Sequence, residues 1–452
     1  MPPRMLKEVE QEITALLSDL IKIDTTNPPG NEAEATHFLA KNLERDGFEC
    51  ELFESTAGRG SLVSRLKGTN EKSSLLLLSH LDVVPANPKE WSADPFSGLV
   101  KDGFVWGRGA LDMKSMTATE VMVMKLLKRN RVKLRGDVVL AATADEEKGG
   151  EAGAGWLVRK HSEKVRADYV LNEGGGLALP LGNRNLYTVQ TAEKGILWFR
   201  VKAKGQPGHG SVPGTADNAI LRINSVIEKI RNYHPGIKIV PVVREYIEEI
   251  AKQDRTARPC LTSLLEDPDR GDSALDEFAK QDKSLAEEFR AKVKMTITPT
   301  MIQGGVKENI IPSDCEAVFD CRVLPGQSPM KTLEMIEGLL KDVGLEKLQF
   351  EVIQANEPSE SSSDTNLFRL IAKVLREFEP NCSVAPDMLT GGTDSRFFRK
   401  KGSICYGFQP MRADMPYGEI LKGIHGVDER ISIENLVFGT TVLYETVKRF
   451  VT

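Results

Sequence analysis

The sequence contains few cysteines, few aromatic residues and no long apolar run. Its six cysteines show neither a CxxC pair nor a regular spacing, so we expect free thiols in a reducing compartment rather than a disulfide framework. No apolar run approaches the roughly 18 residues that a membrane-spanning helix needs. Charges also interrupt the N-terminal segment where a signal peptide would be apolar. We therefore expect a cytoplasmic protein with no membrane partner.

An excess of charge of one sign is also missing. Lys and Arg number 60 and Asp and Glu number 65, which leaves a net charge of −5. Such a mixed surface gives no electrostatic reason to expect a nucleic acid partner. The chain has 452 residues, of which 40% are apolar and 28% charged. This composition is typical of a globular protein, and at roughly 150 residues per domain the length indicates two or three domains.

Strand-like and helix-like patterns alternate over the first part of the chain. Residues 75–79, Val138–Thr143 and Tyr169–Asn172 are short, mostly apolar runs, which are typical of strands that are covered on both faces. Residues 113–127 and 151–161 have helical patterns. This alternation predicts a layered α/β domain with a largely parallel sheet.

A different pattern begins after Glu193-Lys194-Gly195. Strands and helices then follow the order β-α-β-β-α-β, which predicts a ferredoxin-like α+β domain. A charged, mostly helical insertion at about residues 234–294 interrupts this domain, and the α/β pattern returns after the segment NEPSESSSDT. The predicted organisation is an α/β domain in two parts, residues 1–194 and 357–452, with the α+β domain inserted at residues 195–356.

Histidines and acidic residues follow the predicted strands and glycine-rich turns of the α/β domain. In chain order they are His80 and Asp82, Asp112, Glu146 and Glu147, Glu173, and His425. Ligands gather at the carboxyl ends of strands in α/β sheets, and alternate residues such as His80 and Asp82 can lie on one side of the chain. The HxD triplet alone is a weak signal, and most acidic residues are solvated surface charges, but the set as a whole predicts a site.

Two histidines and three carboxylates are a suitable ligand set for a pair of divalent ions such as Zn²⁺. One shared carboxylate, with one histidine and one further carboxylate for each ion, leaves room for a water molecule that both ions activate. A carboxylate beside the site that is not a ligand can then transfer the proton. The adjacent pair Glu146-Glu147 can supply one residue of each kind.

Seven motifs occur in an order that resembles a known family. They are HLDVV, WGRGALDMK, DEE, NEGGG, GHGSVP, a DxRxxP-like segment and GGTDS. Together they resemble the co-catalytic zinc metallopeptidase and acylase family, which includes aminoacylase, carboxypeptidase G, acetylornithine deacetylase, succinyl-diaminopimelate desuccinylase and carnosinase-like dipeptidases. The resemblance extends from about Leu16 to Leu443 and leaves out the helical insertion. It implies a zinc-binding α/β/α catalytic domain that carries an α+β lid, through which the protein forms a homodimer.

The resemblance also implies roles for the site residues. The implied metal ligands are Asp112 as the bridge, His80 and Glu173 on one zinc ion, and Glu147 and His425 on the other. Glu146 corresponds to the general base, and Asp82 corresponds to the residue that orients His80. Zn²⁺ is the expected metal, with Co²⁺ or Mn²⁺ as possible replacements.

The predicted lid and the GGTDS motif contribute the substrate-facing candidates. His209 corresponds to a family histidine that stabilises the tetrahedral oxyanion, often across the dimer interface. Asn309 and Arg322 resemble residues that bind the carboxylate of the substrate, for which the planar guanidinium of arginine is well suited. Gly392 and Thr393 resemble the backbone and hydroxyl part of the same cradle.

The residue at position 173 indicates a substrate class. Glutamate at this position resembles the carboxypeptidase, acylase and desuccinylase members, whereas aminopeptidase-like members and dipeptidases typically have aspartate. We therefore expect a hydrolase that cleaves an amide bond in an N-acyl amino acid or a short peptide with a free carboxylate. The alternatives are a dipeptidase or aminopeptidase of the same family, and a metal-binding dimer without hydrolytic activity.

Overall fold

The computed structural model describes the backbone of residues 3–452 and the side chains of residues 5–452. The chain forms two compact units. The first unit comprises Met1–Thr191, Ser361–Asp387 and Thr393–Thr452, and the second comprises Ala192–Glu360 and Met388–Gly392. The boundaries predicted from the sequence, at 194/195 and 356/357, lie near the two main points where the chain passes between the units.

The first part of the chain, through the end of strand β9, alternates helices with strands. Its helices are α1 (Pro3–Ile21), α2 (Glu32–Glu44), α3 (Lys114–Arg129), α4 (Ala154–Lys160) and α5 (Ser162–Val165). Its strands are β1 (Cys50–Glu54), β2 (Gly60–Leu66), β3 (Leu75–His80), β4 (Val100–Lys101), β5 (Phe104–Trp106), β6 (Val138–Thr143), β7 (Tyr169–Asn172), β8 (Ala178–Leu181) and β9 (Arg184–Glu193). Strand β9 continues from the first unit into the second.

The second unit and the return to the first unit contain the remaining elements. The second unit has strands β10 (Gly195–Lys204), β11 (Gly208–His209), β12 (Thr296–Gly304), β13 (Ile310–Ile311), β14 (Asp314–Val323), β15 (Leu348–Asn356) and β16 (Ser359–Glu360), and helices α6 (Ala219–Arg231), α7 (Pro241–Gln253), α8 (Arg258–Glu266), α9 (Gly271–Ala279), α10 (Lys283–Val293) and α11 (Pro329–Leu339). The return comprises α12 (Asn366–Phe378), β17 (Ser383–Leu389), α13 (Ser395–Arg399), β18 (Ile404–Gly407), α14 (Tyr417–Gly423), β19 (Arg430–Ser432) and α15 (Ile433–Val451).

The main sheet of the first unit is mixed. Seven of its strands lie in the order β1-β2-β6-β3-β7-β18-β9, and β8, β16 and β17 also pair with β9. The four inner strands β6, β3, β7 and β18 are parallel. Strands β1, β2 and β9 pair antiparallel, so the predicted largely parallel sheet describes only the inner strands. A short turn joins β1 to β2 and allows only an antiparallel pairing. Strands β3 and β6 are fully buried, as their apolar runs predict, and in β7 and β18 only the first residue is half-buried.

The second unit contains a four-stranded antiparallel sheet in the order β12-β14-β10-β15. Helices α6 and α11 pack on this sheet, and apolar residues of both helices join those of β10 and β14 in one core. Within it the rings of Phe199 and Phe319, on neighbouring strands, stack with centroids 5.1 Å apart. The chain order of these elements is β-α-β-β-α-β, apart from the inserted helices.

The insertion forms four helices, α7 to α10, with an apolar core of their own. The rings of Tyr246 and Phe278 each lie 5.8 Å from that of Phe289, and all three are buried. The buried Lys194 donates hydrogen bonds to the carbonyl oxygens of Ala291 and Lys294, at 2.9 and 2.7 Å. Burial lowers the pKa of Lys194 to about 8. This lysine therefore fastens the end of α10 to the start of the unit.

No disulfide joins the six cysteines, each of which is buried or half-buried with a free thiol. Among the helices of residues 3–452, none combines the length and the hydropathy that crossing a bilayer requires.

Candidate metal centre

Three neighbouring strands of the main sheet deliver the first candidate residues. His80 is the last residue of β3, Glu146 and Glu147 lie shortly after β6, and Glu173 directly follows β7. Strand β3 pairs in parallel with both β6 and β7, so the carboxyl ends of the three strands lie at one edge of the sheet. The strand pairing therefore brings these four side chains to the same edge.

Asp112 comes from the loop between β5 and α3. Gly107 and Gly109 in this loop have φ values of +144° and +89°, which favour glycine. The two oxygens of the Asp112 carboxylate face different histidines: Oδ1 lies 3.2 Å from His80 Nε2, and Oδ2 lies 3.0 Å from His425 Nε2. This arrangement suits a carboxylate that bridges two cations.

The five predicted ligands form two groups that share Asp112. The first ligand group is His80, Asp112 and Glu173, and the second ligand group is Asp112, Glu147 and His425; within each, the ligand atoms lie within 4.8 Å of one another. Glu147 Oε1 is buried and has no hydrogen-bond partner among the described residues. A buried carboxylate oxygen without a partner is costly unless a cation compensates it, so the donor set fits a pair of divalent ions.

The pKa values in the centre reflect this concentration of charge. Burial would lower the pKa of His80, but the nearby carboxylates, above all Glu173, raise it well above its ordinary value. Hydrogen bonds to Asp112 and Glu147 raise the pKa of His425 to about 10. Burial raises the pKa of Glu173 to about 7. Burial also opposes the charge on Asp112, but the two histidines hold its pKa well below its ordinary value. Cations could take over the charge balance that protons provide here.

Asp82 is fully buried and connects His80 with the Glu146-Glu147 pair. His80 Nδ1 lies 3.0 Å from the backbone oxygen of Asp82 and 3.5 Å from its Oδ1. The carboxylate accepts the backbone N–H of Glu146 at 3.0 Å and that of Glu147 at 3.1 Å. It also accepts a hydrogen bond from Asn27 Nδ2 at 2.8 Å. The carbonyl of Asp82 is therefore the nearer partner of the ring, and its carboxylate holds the acidic pair.

Glu146 is the residue that the resemblance assigns as the general base. It is half-buried, and burial together with the nearby carboxylates, chiefly Glu173, raises its pKa well above the ordinary value. A base whose pKa is closer to neutrality can both accept and return a proton. The preceding residue, Asp145, has a φ of +74° and forms an ion pair with Arg59. Arg59 and Asp82 therefore both hold the turn that carries Glu146.

The sequence did not single out several buried or half-buried polar residues that hold the centre together. They are Asn27, Arg59, Asp145, Arg108 and Glu429. Glu429 accepts the backbone N–H of Asp112, and Arg108 donates to the backbone oxygen of His425. Arg108, Asp145 and Glu429 lie close to predicted site residues in the sequence, whereas Asn27 and Arg59 belong to none of the motifs. A charged side chain is also more often exposed than buried, so its type gives no signal.

His209 lies in the second unit, exposed, at the end of the two-residue strand β11. Its Nδ1 accepts the backbone N–H of Ser211 at 3.2 Å, so in the neutral ring the proton is on Nε2. Asn309 is its neighbour, since the backbone oxygen of Asn309 accepts the N–H of Gly210 at 2.9 Å. The second unit thus brings two of the predicted substrate-facing residues together and gives His209 an available N–H donor.

Of the other substrate-facing candidates, Arg322 and Thr393 have partners within their own units. Arg322, on β14, binds both carboxylate oxygens of Asp320 at 2.6 and 3.0 Å. Gly392 belongs to the second unit and Thr393 to the first. Thr393 is buried, and its hydroxyl accepts the backbone N–H of Ser395 at 3.1 Å. A role of these residues toward a substrate stays a prediction from the resemblance.

The mixed α/β fold and the two groups of histidine and carboxylate ligands are typical of metal-dependent hydrolases of the peptidase and amidohydrolase class. Residues 76–449 match the Peptidase family M20/M25/M40, and the chain belongs to this family. The resemblance stated from the motifs is therefore confirmed at the level of the family and its fold.

Three known proteins illustrate the relationship. The N-fatty-acyl-amino acid synthase/hydrolase PM20D1 of Xenopus tropicalis is 28% identical over 371 residues, which are 79% of this chain and 69% of the relative. Aminoacylase-1 of Sus scrofa is 27% identical over 431 residues, 94% of this chain and 92% of the relative. The M20 family metallo-carboxypeptidase Sso-CP2 from Sulfolobus solfataricus has a similar structure, with a TM-score of 0.75, 19% identity, and coverage of 97% of this chain and 99% of that one.

Proposed function

We propose that this protein hydrolyses the amide bond of an N-acyl amino acid, or of a short peptide with a free carboxylate, with the help of two divalent metal ions. The observation that carries the proposal is the Asp112 carboxylate, whose two oxygens face His80 and His425 at 3.2 and 3.0 Å. One acidic residue shared between two histidine-containing groups is the arrangement expected of a two-metal hydrolase.

The metal ions would be held by the two ligand groups, with Zn²⁺ as the proposed metal and Co²⁺ or Mn²⁺ as replacements. Imidazole and carboxylate donors suit all three ions. When bound, a pair of such ions lowers the pKa of a water molecule and polarises a carbonyl oxygen. Asp82 orients His80 and holds the turn that carries Glu146 and Glu147.

Glu146 is the proposed general base and acid. It takes the proton from the attacking water and delivers it to the nitrogen that leaves when the amide bond breaks. Its raised pKa, caused first by burial and then by nearby carboxylates, supports both transfers. Replacement of the base should lower kcat by about 10²- to 10⁴-fold.

His209 is the proposed donor to the oxyanion that develops on the substrate carbonyl. Its support is the tautomer that the Ser211 amide fixes, with the proton on Nε2. The resemblance further suggests that this histidine acts across a dimer. Mixing inactive His209→Ala subunits with inactive Glu146→Ala subunits should then restore part of the activity, and confirmed subunit exchange without recovery would contradict the shared site.

A free carboxylate on the substrate is proposed from two observations. Glutamate at position 173 resembles the acylase and carboxypeptidase members, and two matched proteins are named aminoacylase and N-fatty-acyl-amino acid hydrolase. Arg322 and Asn309, with Gly392 and Thr393, are the proposed carboxylate-binding residues. The Arg322 guanidinium already donates two hydrogen bonds to Asp320. A substrate carboxylate would therefore have to displace Asp320 or bind Arg322 together with it.

A homodimer through the second unit is proposed from the exposed edge of its sheet. Strand β12 pairs only with β14 in the sheet, and it exposes Met301 and Ile302 by 68% and 62%. An exposed apolar edge strand is suited to pairing with a second copy. Light scattering should give the mass of two chains, and Ile302→Asp should shift it toward one chain; one chain in both samples would refute the dimer.

The function is tested on chelator-treated protein that is reloaded with Zn²⁺. We expect turnover of an N-acetyl amino acid and much slower turnover of the same compound with its carboxylate amidated. Glu146→Gln should lower kcat by about 10²- to 10⁴-fold while both metal ions stay bound, whereas Glu151→Gln, a matched change at an exposed residue nearby, should leave kcat nearly unchanged. Activity that survives complete metal removal would refute the mechanism.

The same substrates separate the alternatives. Faster turnover of an unblocked dipeptide would indicate a dipeptidase or aminopeptidase, and no turnover of any amide with two bound ions would indicate a binding protein. The cytoplasmic location and the lack of nucleic acid and membrane partners stay predictions from the sequence, which cell fractionation and pull-down experiments can test.

A further inference from the structure

The buried ion pair between Arg108 and Glu429 lies beside the metal centre. Glu429 is completely buried and Arg108 is 3% exposed. The Glu429 carboxylate accepts the Arg108 guanidinium at 2.7 Å. It also accepts the backbone N–H groups of Gly109, Leu111 and Asp112, at 3.0, 2.6 and 3.0 Å. One carboxylate therefore fixes the backbone of the loop that presents the bridging ligand.

Arg108 extends this link to His425, another ligand of the second group. Its Nη2 donates to the backbone oxygens of His425 and Gly426, at 3.2 and 3.0 Å. His425 has a φ of +58°, a conformation that is unfavourable for a residue other than glycine and persists only where the surroundings impose it. The hydrogen bonds of Arg108 supply such surroundings.

The two ligand groups differ in how they are held. In the first group, His80 ends β3 and Glu173 follows β7, which are paired strands of the main sheet. In the second group, Asp112 and His425 lie in loops far apart in the sequence, and the Arg108–Glu429 pair contacts the backbone of both. The sheet thus positions His80 and Glu173, whereas the Arg108–Glu429 ion pair positions the backbone of Asp112 and His425.

A contribution to stability alone does not account for this pair. A buried ion pair often adds nothing to folding stability compared with apolar residues of similar size. Partners that orient metal ligands, in contrast, typically change metal affinity by about 10- to 100-fold when they are lost.

We propose that Arg108 and Glu429 are positioning residues that set the distance between Asp112 and His425, and thereby the affinity of the second ligand group for its metal ion. This inference rests on the proposed two-metal centre. It assigns a role to residues that neither bind the metal nor contact the substrate.

The test is a Co²⁺ titration of the chelator-treated full-length protein, followed by visible absorption and by metal analysis. The native protein should bind two ions in two steps. Glu173→Ala and His425→Ala identify which step belongs to the first and which to the second ligand group. Glu429→Gln should weaken the step that His425→Ala removes by about 10- to 100-fold, and it should weaken the other step, whose ligand group shares Asp112, by less.

Two further variants separate positioning from folding. Asp137→Asn removes a carboxylate that likewise accepts an arginine and a backbone N–H, from Arg65 and Gly68 at 2.7 and 2.8 Å; it should leave both steps unchanged. Arg108→Lys keeps the charge but not the forked geometry. It should weaken the same step as Glu429→Gln and is the deciding variant if Glu429→Gln fails to fold.

The outcomes distinguish the inference from the proposed function. If the native protein binds no Co²⁺, the proposed metal centre is wrong. If it binds two ions but Glu429→Gln and Arg108→Lys leave both affinities unchanged, or weaken the first group's step as much as the second's, only the positioning role is refuted.

Discussion

Replacing Asp82 by asparagine tests whether one buried carboxylate organises the catalytic turn. Its Oδ1 accepts the N–H of Glu146, and its Oδ2 accepts both the N–H of Glu147 and the Nδ2 of Asn27. An asparagine has one acceptor oxygen, so its NH₂ group must face at least one of these donors. The cheaper orientation keeps the oxygen toward Glu147 and Asn27 and gives up the bond to Glu146.

The size of the effect follows from that lost bond. A hydrogen bond to a charged group contributes about 1.5–3 kcal/mol, and a buried donor without a partner costs a similar amount. Because removal of the buried charge offsets part of this, we expect Asp82→Asn to lower the free energy of unfolding by about 2–3 kcal/mol. With the Glu146 amide released, kcat should fall by about 10- to 100-fold at saturating metal.

Urea unfolding and steady-state kinetics measure these two effects. Asp137→Asn is the control, because Asp137 precedes β6 and therefore lies at the opposite end of that strand from Glu146. It should lower stability without a comparable loss of kcat. A kcat of Asp82→Asn close to that of the native protein, with a stability loss equal to that of Asp137→Asn, would refute the reasoning.

Three further outcomes are expected. Burial and a neighbouring carboxylate raise the pKa of Glu32 from 4.5 to about 7. Between these two pH values the folded protein binds a proton that the unfolded chain has lost, so the free energy of unfolding falls as the pH rises from one to the other. In Glu32→Gln the free energy of unfolding, measured with urea, should decrease over this pH range by up to about 3 kcal/mol less than in the native protein. The same pH dependence in both proteins would contradict the prediction. Phe289→Ala empties the space between Tyr246 and Phe278 and should lower the free energy of unfolding, measured by thermal unfolding, by about 3–5 kcal/mol. It should leave both steps of Co²⁺ binding unchanged, and the loss of either step would contradict the prediction. Arg322→Lys should raise KM for an N-acetyl amino acid about tenfold, or about 1.4 kcal/mol, with kcat nearly unchanged, and an unchanged KM would remove Arg322 from the substrate site.

The strand-end residues of the metal centre could be predicted from the sequence. Apolar runs locate β3, β6 and β7, and the parallel arrangement of such strands brings His80, Glu147 and Glu173 to one edge of the sheet. Asp112 and His425 lie in loops, whose course depends on contacts far along the chain. Their places in glycine-rich turns made these two residues candidates, but only the resemblance to a family assigned them as ligands of particular metal ions.

The supporting residues could not be predicted in this way. Arg108 and Glu429 are separated by more than 300 positions, and nothing in either local sequence indicates that the two charges are buried against one another. Lys194 is a similar case, because its role in holding the end of α10 depends on where the inserted helices pack. The antiparallel strand β9 was also missed, since its residues lack the continuous apolar pattern of the inner strands.

The way in which the second unit interrupts the first has a consequence for how such a chain can change. Thr191 and Ser361 flank the interruption, and the N–H of Ser361 donates to the backbone oxygen of Thr191 at 2.8 Å. Immediately beyond them, Ala192 pairs antiparallel with Glu360. Residues 192–360, which are all of the second unit except Met388–Gly392, therefore leave and re-enter the surrounding sheet as one elongated hairpin. Its gain, loss or exchange therefore requires no rethreading of the strands that carry the histidine and carboxylate side chains.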